Sequence, residues 1–161
     1  MIRVTRSGWI AYGLAVGIVV LDQLSKYWIL HVIRLPEIGS MDVLGPLRLS
    51  FVQNPGVSFG FLQGQALARW GLSLFALVVT VILATWARRA DRTVTALTLG
   101  LFMGGAVGNV IDRIRFGWVA DFIDVQALHF PWVFNIADSA ITVGAALLLL
   151  DTALSSRKAA A

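Results

Sequence analysis

Cysteine is absent from this chain of 161 residues, and histidine occurs only as His31 and His129. Without cysteine the protein has no disulfide framework, no thiolate nucleophile and no thiolate metal site. The two histidines are far apart and no HExxH motif occurs, so a metallopeptidase would have almost no ligands. Charged residues make up only 14% of the chain, whereas hydrophobic residues make up 58%. That balance is too apolar for an ordinary soluble domain and indicates a small membrane protein with several spans.

Four apolar segments are long enough, at about 20 residues each, to cross a bilayer. The predicted spans cover residues 9–32, 70–87, 93–111 and 133–150. No small-x-small cleavage site follows the first segment, so we interpret it as a retained span rather than a signal peptide. In the third span Gly100, Gly104 and Gly108 recur every four residues, which allows another helix to approach closely. The predicted fold is therefore an all-α membrane protein, a bundle of four transmembrane helices in a single domain over residues 1–161.

Basic residues are concentrated on one side of this predicted membrane. The two termini and the turn after the second span contain Arg3, Arg6, Arg88, Arg89, Arg92, Arg157 and Lys158, opposed only by Asp91 and Asp151. Because short loops rich in lysine and arginine stay in the cytoplasm, we expect both termini inside and the loops 33–69 and 112–132 outside. The basic excess then reflects membrane orientation and does not indicate nucleic-acid binding.

The first outer loop contains one regular pattern among its prolines and glycines. In residues 47–53, a set of mostly apolar side chains at the odd positions alternates with arginine, serine and valine at the even positions. This period of two is typical of a half-buried strand. Asn54-Pro55-Gly56 then supplies a turn. On this pattern alone, Asn54 also fits an ordinary turn residue. The sequence thus predicts a small β-element outside the membrane.

Polar side chains gather in residues 104–139, beside the last two predicted spans. The group consists of Asn109, Asp112, Arg113, Arg115, Asp121, Asp124, Asn135 and Asp138. Ionisable groups at the edge of the hydrocarbon layer are costly, so such a group indicates a functional site. In the first span, Asp22 and Lys26 are four residues apart and can pair on one helix face. This pair fits either a part of the site or an interfacial ion pair that only fixes helix depth.

Serine-based catalysis finds little support in the pattern. Ser25 and Lys26 are neighbours on a helix, where adjacent side chains point about 100° apart, so they are poorly placed for a dyad. Ser58 and His129 lack a nucleophile-elbow sequence and an orienting partner. Carboxylates remain as the candidate catalytic groups.

Two carboxylates that are close together in a low-dielectric site cannot both ionise easily, so one acts as an acid and the other as a base. Asp121 and Asp138 meet this requirement if the third and fourth spans pack as an antiparallel hairpin. A purely structural role is open for Asp138, because Asn135 is a good N-cap and an acid is favoured in the first helical turn. The alternative function is a small transporter or proton-conducting protein that uses the same acids, although the inverted repeat typical of transporters is not evident.

Five short blocks resemble a known family. They are Asp22-Gln23-x-x-Lys26, Asn54-Pro55-Gly56-Val57-Ser58-Phe59, Gly108-Asn109-x-x-Asp112-Arg113, Val119-x-Asp121-Phe122 and Phe134-Asn135-x-Ala137-Asp138-Ser139. In order and spacing these blocks match the signatures of the bacterial lipoprotein signal peptidases (signal peptidase II). One small departure is Val57-Ser58, where the family often has two alanines. The resemblance covers nearly the whole chain.

This resemblance implies a membrane aspartic endopeptidase that cleaves diacylglyceryl-modified prolipoproteins just before the lipidated cysteine. It implies no metal and no cofactor, a location in the bacterial cytoplasmic (inner) membrane, and an active site near the outer face. Carried over by position, Asp121 and Asp138 are the catalytic pair. Asn54, Gly56, Asn109, Arg113 and Asn135 bind substrate or shape the site, and Asp22, Lys26 and Asp112 give structural polar support. Asp124 has no assigned role. The implied partners are prolipoprotein substrates, membrane lipids and inhibitory cyclic peptides of the globomycin type.

Overall fold

A computed structural model describes residues 3–56 and 65–159, without the side chains of residues 65–68 and 157–159. Residues 57–59 of the second sequence block, including Ser58, lie outside the described residues. The helices are α1 (Arg6–Tyr27), which a π-helical turn extends through Trp28–Val32, then α2 (Leu35–Ile38), α3 (Gln65–Ala87), α4 (Thr93–Phe116) and α5 (Ile136–Ala159). The strands are β1 (Ser40–Leu44), β2 (Leu47–Asn54), β3 (Val119–Asp124) and β4 (Val133–Phe134).

The described residues include four helices that are long and apolar enough to cross a membrane, namely Arg6–Val32, Arg69–Ala87, Thr93–Phe116 and Ile136–Ser156. α4 continues past residue 111, where the third predicted span ends, because nothing interrupts the helix before Gly117, which adopts φ +87°. Asp112 and Arg113 therefore lie on a helix rather than in the predicted loop 112–132. At the other end of that loop, residues 133–134 form β4, and α5 begins only after Asn135.

α4 packs against α1, α3 and α5 and is the central helix of the structure. A Cβ atom built on Gly100 would lie 2.7 Å from the Ala11 carbonyl oxygen, and one on Gly104 would lie 2.8 Å from the Ala15 carbonyl oxygen. The predicted close approach of another helix is confirmed, and the helix that approaches this glycine face is α1. Gly105 faces the opposite neighbour, α5.

The β-element is a four-stranded antiparallel sheet with the order β1-β2-β3-β4. The predicted strand over residues 47–53 is confirmed as β2. Sequence reasoning missed β3, which it placed in a loop, because β3 is buried along almost its whole length and shows no alternation. Val52 pairs with Asp121, and Asn54 pairs with Val119. This register brings the end of β2 beside Asp121.

Candidate active site

A buried polar core joins α1 to α4. The Lys26 Nζ atom lies 2.8 Å from Asp22 Oδ2 and 2.7 Å from Asp112 Oδ2. Gln23 Nε2 donates to Asp112 Oδ1 at 3.0 Å and to Asp22 Oδ2 at 3.1 Å. One ammonium group is thus shared by two carboxylates, whose remaining lone pairs are hydrogen-bonded, and this offsets the cost of burying them. The predicted pairing of Asp22 with Lys26 is confirmed, and Asp112 is its third member.

The same two carboxylates hold the backbone beside the two candidate aspartates. Asp112 Oδ2 accepts a hydrogen bond from the Ala120 N–H at 3.0 Å, and Ala120 directly precedes Asp121. Asp22 Oδ1 accepts one from the Ala137 N–H at 3.0 Å, and Ala137 directly precedes Asp138. The polar core therefore anchors both β3 and the first turn of α5. A side-chain pattern could not have revealed these contacts, because both donors are backbone groups.

Asp121 lies on β3 with only 1% of its surface exposed. Its Oδ2 atom accepts from Asn54 Nδ2 at 2.9 Å, and its Oδ1 atom accepts from Asn135 Nδ2 at 2.7 Å. Burial raises the pKa of Asp121 from 3.8 to about 6; the hydrogen bond from Asn54 opposes this shift, and the neighbouring charge of Asp138 adds to it. The carboxyl group therefore holds a proton at a higher pH than an exposed aspartate does.

Asp138 lies in the first turn of α5 and is half-buried. Its Oδ1 atom accepts from Asn109 Nδ2 at 2.8 Å, and its Oδ2 atom accepts from the Asn135 N–H at 3.3 Å. In return the Asp138 N–H donates to Asn135 Oδ1 at 2.9 Å. This reciprocal pair is a capping box, so the structural role that the sequence left open for Asn135 and Asp138 is present.

Two asparagine side chains connect the two aspartates. Asn135 Nδ2 donates to Asp121 and also to Asn109 Oδ1 at 3.2 Å, while Asn109 Nδ2 donates to Asp138. Lys26 Nζ donates to Asn109 Oδ1 at 3.4 Å, which fixes the orientation of that amide. The structure thus joins Asp121, Asn135, Asn109 and Asp138 in one continuous hydrogen-bonded chain. β3, α4 and α5 each contribute to it.

Asn54 serves the turn and the site together. While its Nδ2 atom donates to Asp121, its Oδ1 atom accepts from the Gly56 N–H at 2.8 Å and closes the turn, where Gly56 adopts φ +81°. A Cβ atom built on Gly56 would lie 2.5 Å from Leu72 Cδ1 and 3.5 Å from Arg113 Nη2. Glycine is therefore favoured by the backbone angle at this position, and the flexible Leu72 side chain packs against it. Among the described residues, the buried Nε atom of Arg113 has no hydrogen-bond partner.

An apolar groove of about 460 Å³ leads to these polar groups. Side chains of α3, α4 and α5 line it, including Leu72, Phe75, Val79, Phe102, Ala106 and Ile141. Within the part of the chain that the structure describes, the polar residues of its wall are Asn109 and Arg113. Asn109 connects the groove to the candidate aspartates, because its Nδ2 atom donates to Asp138.

Asp124, which had no assigned role, joins two strands. Its Oδ2 atom accepts from Ser50 Oγ on β2 at 2.6 Å, and its Oδ1 atom accepts from the Gln126 N–H at 3.0 Å. These hydrogen bonds hold the pKa of Asp124 below its usual value. In the part of the chain that the structure describes, no three His, Cys, Asp or Glu side chains are grouped so that they could hold a metal ion.

Comparison with known proteins decides the family. The family model described as signal peptidase (SPase) II matches residues 14–154. This chain belongs to the signal peptidase II family. The sequence resemblance is therefore confirmed, and the chain is a peptidase; the transporter alternative finds no support.

Two relatives within this family match nearly the full length of the chain. The lipoprotein signal peptidase of Caulobacter vibrioides is 52% identical over 155 residues, which is 96% of this chain and 92% of the relative. That of Shewanella loihica is 41% identical over 157 residues, 94% of this chain and 91% of the relative.

Two solved structures described as bacterial membrane enzymes, both 27% identical, match with TM-scores of 0.79 and 0.76. The first match covers 94% of this chain and 97% of the solved chain, and the second covers 91% and 88%. The helical fold with its small sheet is thus shared with known membrane enzymes.

Proposed function

We propose that this protein removes the signal peptides of diacylglyceryl-modified prolipoproteins by cleaving just before the lipidated cysteine, with Asp121 and Asp138 as the catalytic pair. One observation carries the proposal: the two carboxyl groups are connected through Asn135 and Asn109 at the polar end of an apolar groove. Aspartic peptidases use two neighbouring carboxyl groups that differ in protonation.

Asp121 is the acid of this pair and Asp138 is the base. Burial favours the protonated form of Asp121, whose pKa is raised to about 6. Asp138 is half-buried in the first turn of α5 and accepts hydrogen bonds from Asn109 Nδ2 and from the Asn135 N–H. Each carboxyl group is therefore matched to its role by its surroundings.

Hydrolysis follows from these two states. Asp138 removes a proton from a water molecule as the water oxygen attacks the carbonyl carbon of the scissile bond. Asp121 donates its proton in a hydrogen bond to the carbonyl oxygen and stabilises the developing negative charge. As the C–N bond breaks, the proton held by Asp138 passes to the leaving amine. The products are a carboxylate and the free amino group of the lipidated cysteine.

The groove and its rim hold the substrate. The apolar signal peptide lies along α3, α4 and α5, because its side chains match the apolar wall of the groove. Arg113 and Asn54 provide N–H donors to substrate carbonyl groups near the scissile bond. Gly56 shapes the turn that holds Asn54 beside Asp121, and Asp22, Lys26 and Asp112 keep β3 and α5 in place.

The four long helices cross the bacterial cytoplasmic (inner) membrane as a bundle within the single domain 1–161. Both termini and the turn with Arg88, Arg89 and Arg92 lie in the cytoplasm, according to the distribution of basic residues. The sheet and the aspartates then lie near the outer face. A diacylated substrate stays in the membrane, so its scissile bond reaches the enzyme at this interface.

Purified protein in detergent with a chelator tests the proposal. It should convert a diacylglyceryl prolipoprotein, and a globomycin-type peptide should block the conversion. Asp121→Asn and Asp138→Asn should each reduce the rate by at least about a hundredfold. Asp124→Asn is the matched control, since this acid lies on the same strand outside the hydrogen-bonded chain, and it should keep its activity. Full activity in either of the first two variants would exclude the proposed pair, and abolition by the chelator alone would favour a metal enzyme.

A further inference from the structure

A cavity of about 610 Å³ lies at the C-terminal end of α3, at the end of the bundle away from the aspartates. The described residues of its wall are Ile82, Thr85, Trp86, Arg88 and Arg89. The reaction proposed above uses none of these residues. The cavity therefore needs an explanation of its own.

The wall changes in polarity along the helix axis. Ile82 is 58% exposed and Trp86 is 52% exposed, so both face the surroundings of the bundle rather than its core. Tryptophan side chains with this exposure lie at the boundary between hydrocarbon and headgroups. Arg88 and Arg89 follow directly beyond that boundary. From Ile82 through Trp86 to the two arginines, the wall is first apolar, then amphipathic and then cationic. These three parts correspond to the acyl, glycerol and phosphate regions of a phospholipid.

The two guanidinium groups are available for a ligand. Among the described residues, neither Arg88 nor Arg89 uses its side chain in a hydrogen bond or an ion pair, and no acidic residue lines the cavity. Arg92, in contrast, forms a bidentate ion pair with Asp151. Among the described residues, two guanidinium groups without a direct ion-pair partner therefore lie at the cavity.

The carbonyl groups at the end of α3 do not compete for these arginines. Ala84 O accepts from the Tyr12 hydroxyl at 2.7 Å, and Trp86 O accepts from the Arg89 N–H at 2.9 Å. Ala87 O accepts from the Ala90 N–H at 3.1 Å. Because these acceptors are occupied, the guanidinium groups are not needed to cap their own helix.

The backbone that carries the arginines is held by α1. The Thr5 N–H donates to Arg88 O at 3.1 Å, and Thr5 Oγ1 donates to Ala90 O at 2.5 Å. A Cβ atom built on Gly8 would lie 2.6 Å from Ala87 O, which shows how closely the helices meet. A fixed backbone lowers the entropy that the site loses when a ligand binds.

We propose that this cavity is a binding site for one phospholipid with an anionic headgroup. The Arg88 and Arg89 guanidinium groups bind its phosphate oxygens, for which the planar donor fork of arginine is suited. The Trp86 indole lies beside the glycerol region, and an acyl chain lies along Ile82. The ligand is a lipid rather than free phosphate, because Ile82 and Trp86 form an apolar part of the site that faces the surroundings of the bundle.

Native mass spectrometry of the purified full-length protein tests this site. The protein is titrated in detergent with phosphatidylglycerol or with phosphatidylcholine of the same acyl chains. Phosphatidylglycerol should bind at least about tenfold more tightly, and Arg88→Gln/Arg89→Gln should remove this preference. Arg3→Gln/Arg6→Gln is the matched control, because it removes two positive charges from the same end of the bundle outside the cavity wall. It should retain the preference.

Three results would overturn the proposal. Equal losses in the two double variants would indicate diffuse surface charge, and an unchanged preference in Arg88→Gln/Arg89→Gln would exclude the two arginines. Displacement of the lipid by an equal concentration of inorganic phosphate would assign the site to free phosphate. Thermal unfolding checks that the variants are folded. If the double variant unfolds, the single variants Arg88→Gln and Arg89→Gln carry the same test, and each should show a smaller loss of preference.

Discussion

Single side chains in this protein serve the fold and the site together. Asn135 caps α5 with its Oδ1 atom and binds Asp121 with its Nδ2 atom. Asn54 closes a turn and binds the same carboxyl group from the other side. The structural interpretation of these asparagines is therefore correct, and their role in the reaction stays a prediction. Loss of activity on substitution has to be separated from loss of folding at these positions.

The carboxyl group of Asp121 should give stability a specific pH dependence. Folding raises its pKa from 3.8 to about 6, so the folded state binds the proton more tightly and stability falls as the pH rises through this range. Relative to the wild type, Asp121→Asn should therefore gain up to about 3 kcal/mol of stability between pH 4 and pH 7. Thermal unfolding in detergent at the two pH values measures the change.

Asp124→Asn is a control whose stability relative to the wild type should change with pH in the opposite direction. Hydrogen bonds from Ser50 and Gln126 lower the pKa of Asp124, so its charged form adds stability at neutral pH that is lost on acidification. This variant should therefore lose stability relative to the wild type as the pH rises. A parallel response of the two variants would contradict the assigned environments.

Asn54 should set the pH range of the reaction. With Asp121 as the acid, kcat/KM should fall as the pH rises above about 6. The hydrogen bond from Asn54 lowers the pKa of Asp121, so Asn54→Ala should move this decline to higher pH in the activity that remains. Initial rates across the pH range test the shift. Gln53 is an exposed neighbour on β2, and Gln53→Ala should keep the wild-type pH profile. If the decline of kcat/KM stays at the same pH in Asn54→Ala, another group is the acid.

At the scale of elements, α4 determines where the other helices lie. Its glycine face receives α1. On another face, a Cβ atom built on Gly105 would lie 2.5 Å from the Ala137 carbonyl oxygen of α5. Gly108 leaves space for Asp22, whose Oδ2 atom would lie 2.7 Å from a built Cβ atom. The small residues of α4 thus bring the buried ion pairs of α1 and the start of α5 to one level.

Gly104→Ala should destabilise the protein. The new Cβ atom would lie 2.7 Å from Ile18 Cβ and 2.8 Å from the Ala15 carbonyl oxygen, so α1 would have to move. Overpacking of this kind costs about 1 to 3 kcal/mol. Gly17→Ala is the matched control on α1, because no atom of the described residues lies within 4 Å of its built Cβ atom. The control should be neutral or should gain up to about 1 kcal/mol, since alanine favours the helix. Equal unfolding temperatures for the two variants would contradict the close packing.

At the scale of the whole molecule, charge separates the two ends. The end with the sheet has balanced charges, whereas the end with both termini has mostly arginine and lysine. Hydrogen bonds from Thr5 to Arg88 and Ala90, and the ion pair of Arg92 with Asp151, hold α1, α3, α4 and α5 together at this basic end. The orientation of the molecule in the membrane should follow from this asymmetry.

Cysteine labelling tests that orientation against a clean background, because the chain contains no cysteine. Leu44→Cys at the tip of the β1–β2 hairpin, where the side chain is 81% exposed, should react with a membrane-impermeant maleimide at the outer face of intact inner membranes. Ser155→Cys near the end of α5 should react only after permeabilisation. The reverse pattern would place the aspartates at the cytoplasmic face.

Much of the site could be predicted, since the residues that form it stand in five recognisable blocks. Asp121, Asp138, Asn54, Asn109 and Asn135 are brought together as expected. The strand that carries Asp121 was missed, because a strand buried on both faces lacks the alternation that identifies strands. The contacts of Asp112 with Ala120 and of Asp22 with Ala137 were missed because backbone donors leave no trace in residue type.

Local properties of the chain were enough to determine its four apolar helices and the end of the molecule where its positive charge lies, because hydropathy and charge act over a few turns of helix. Tertiary structure alone decided that α1 packs on the glycine face of α4, that Asp112 completes the Lys26 pair, and that Asn54 reaches Asp121 across 67 residues of sequence. Such contacts depend on how helices and strands meet. Many pairings are compatible with one pattern of side chains, and packing in three dimensions selects among them.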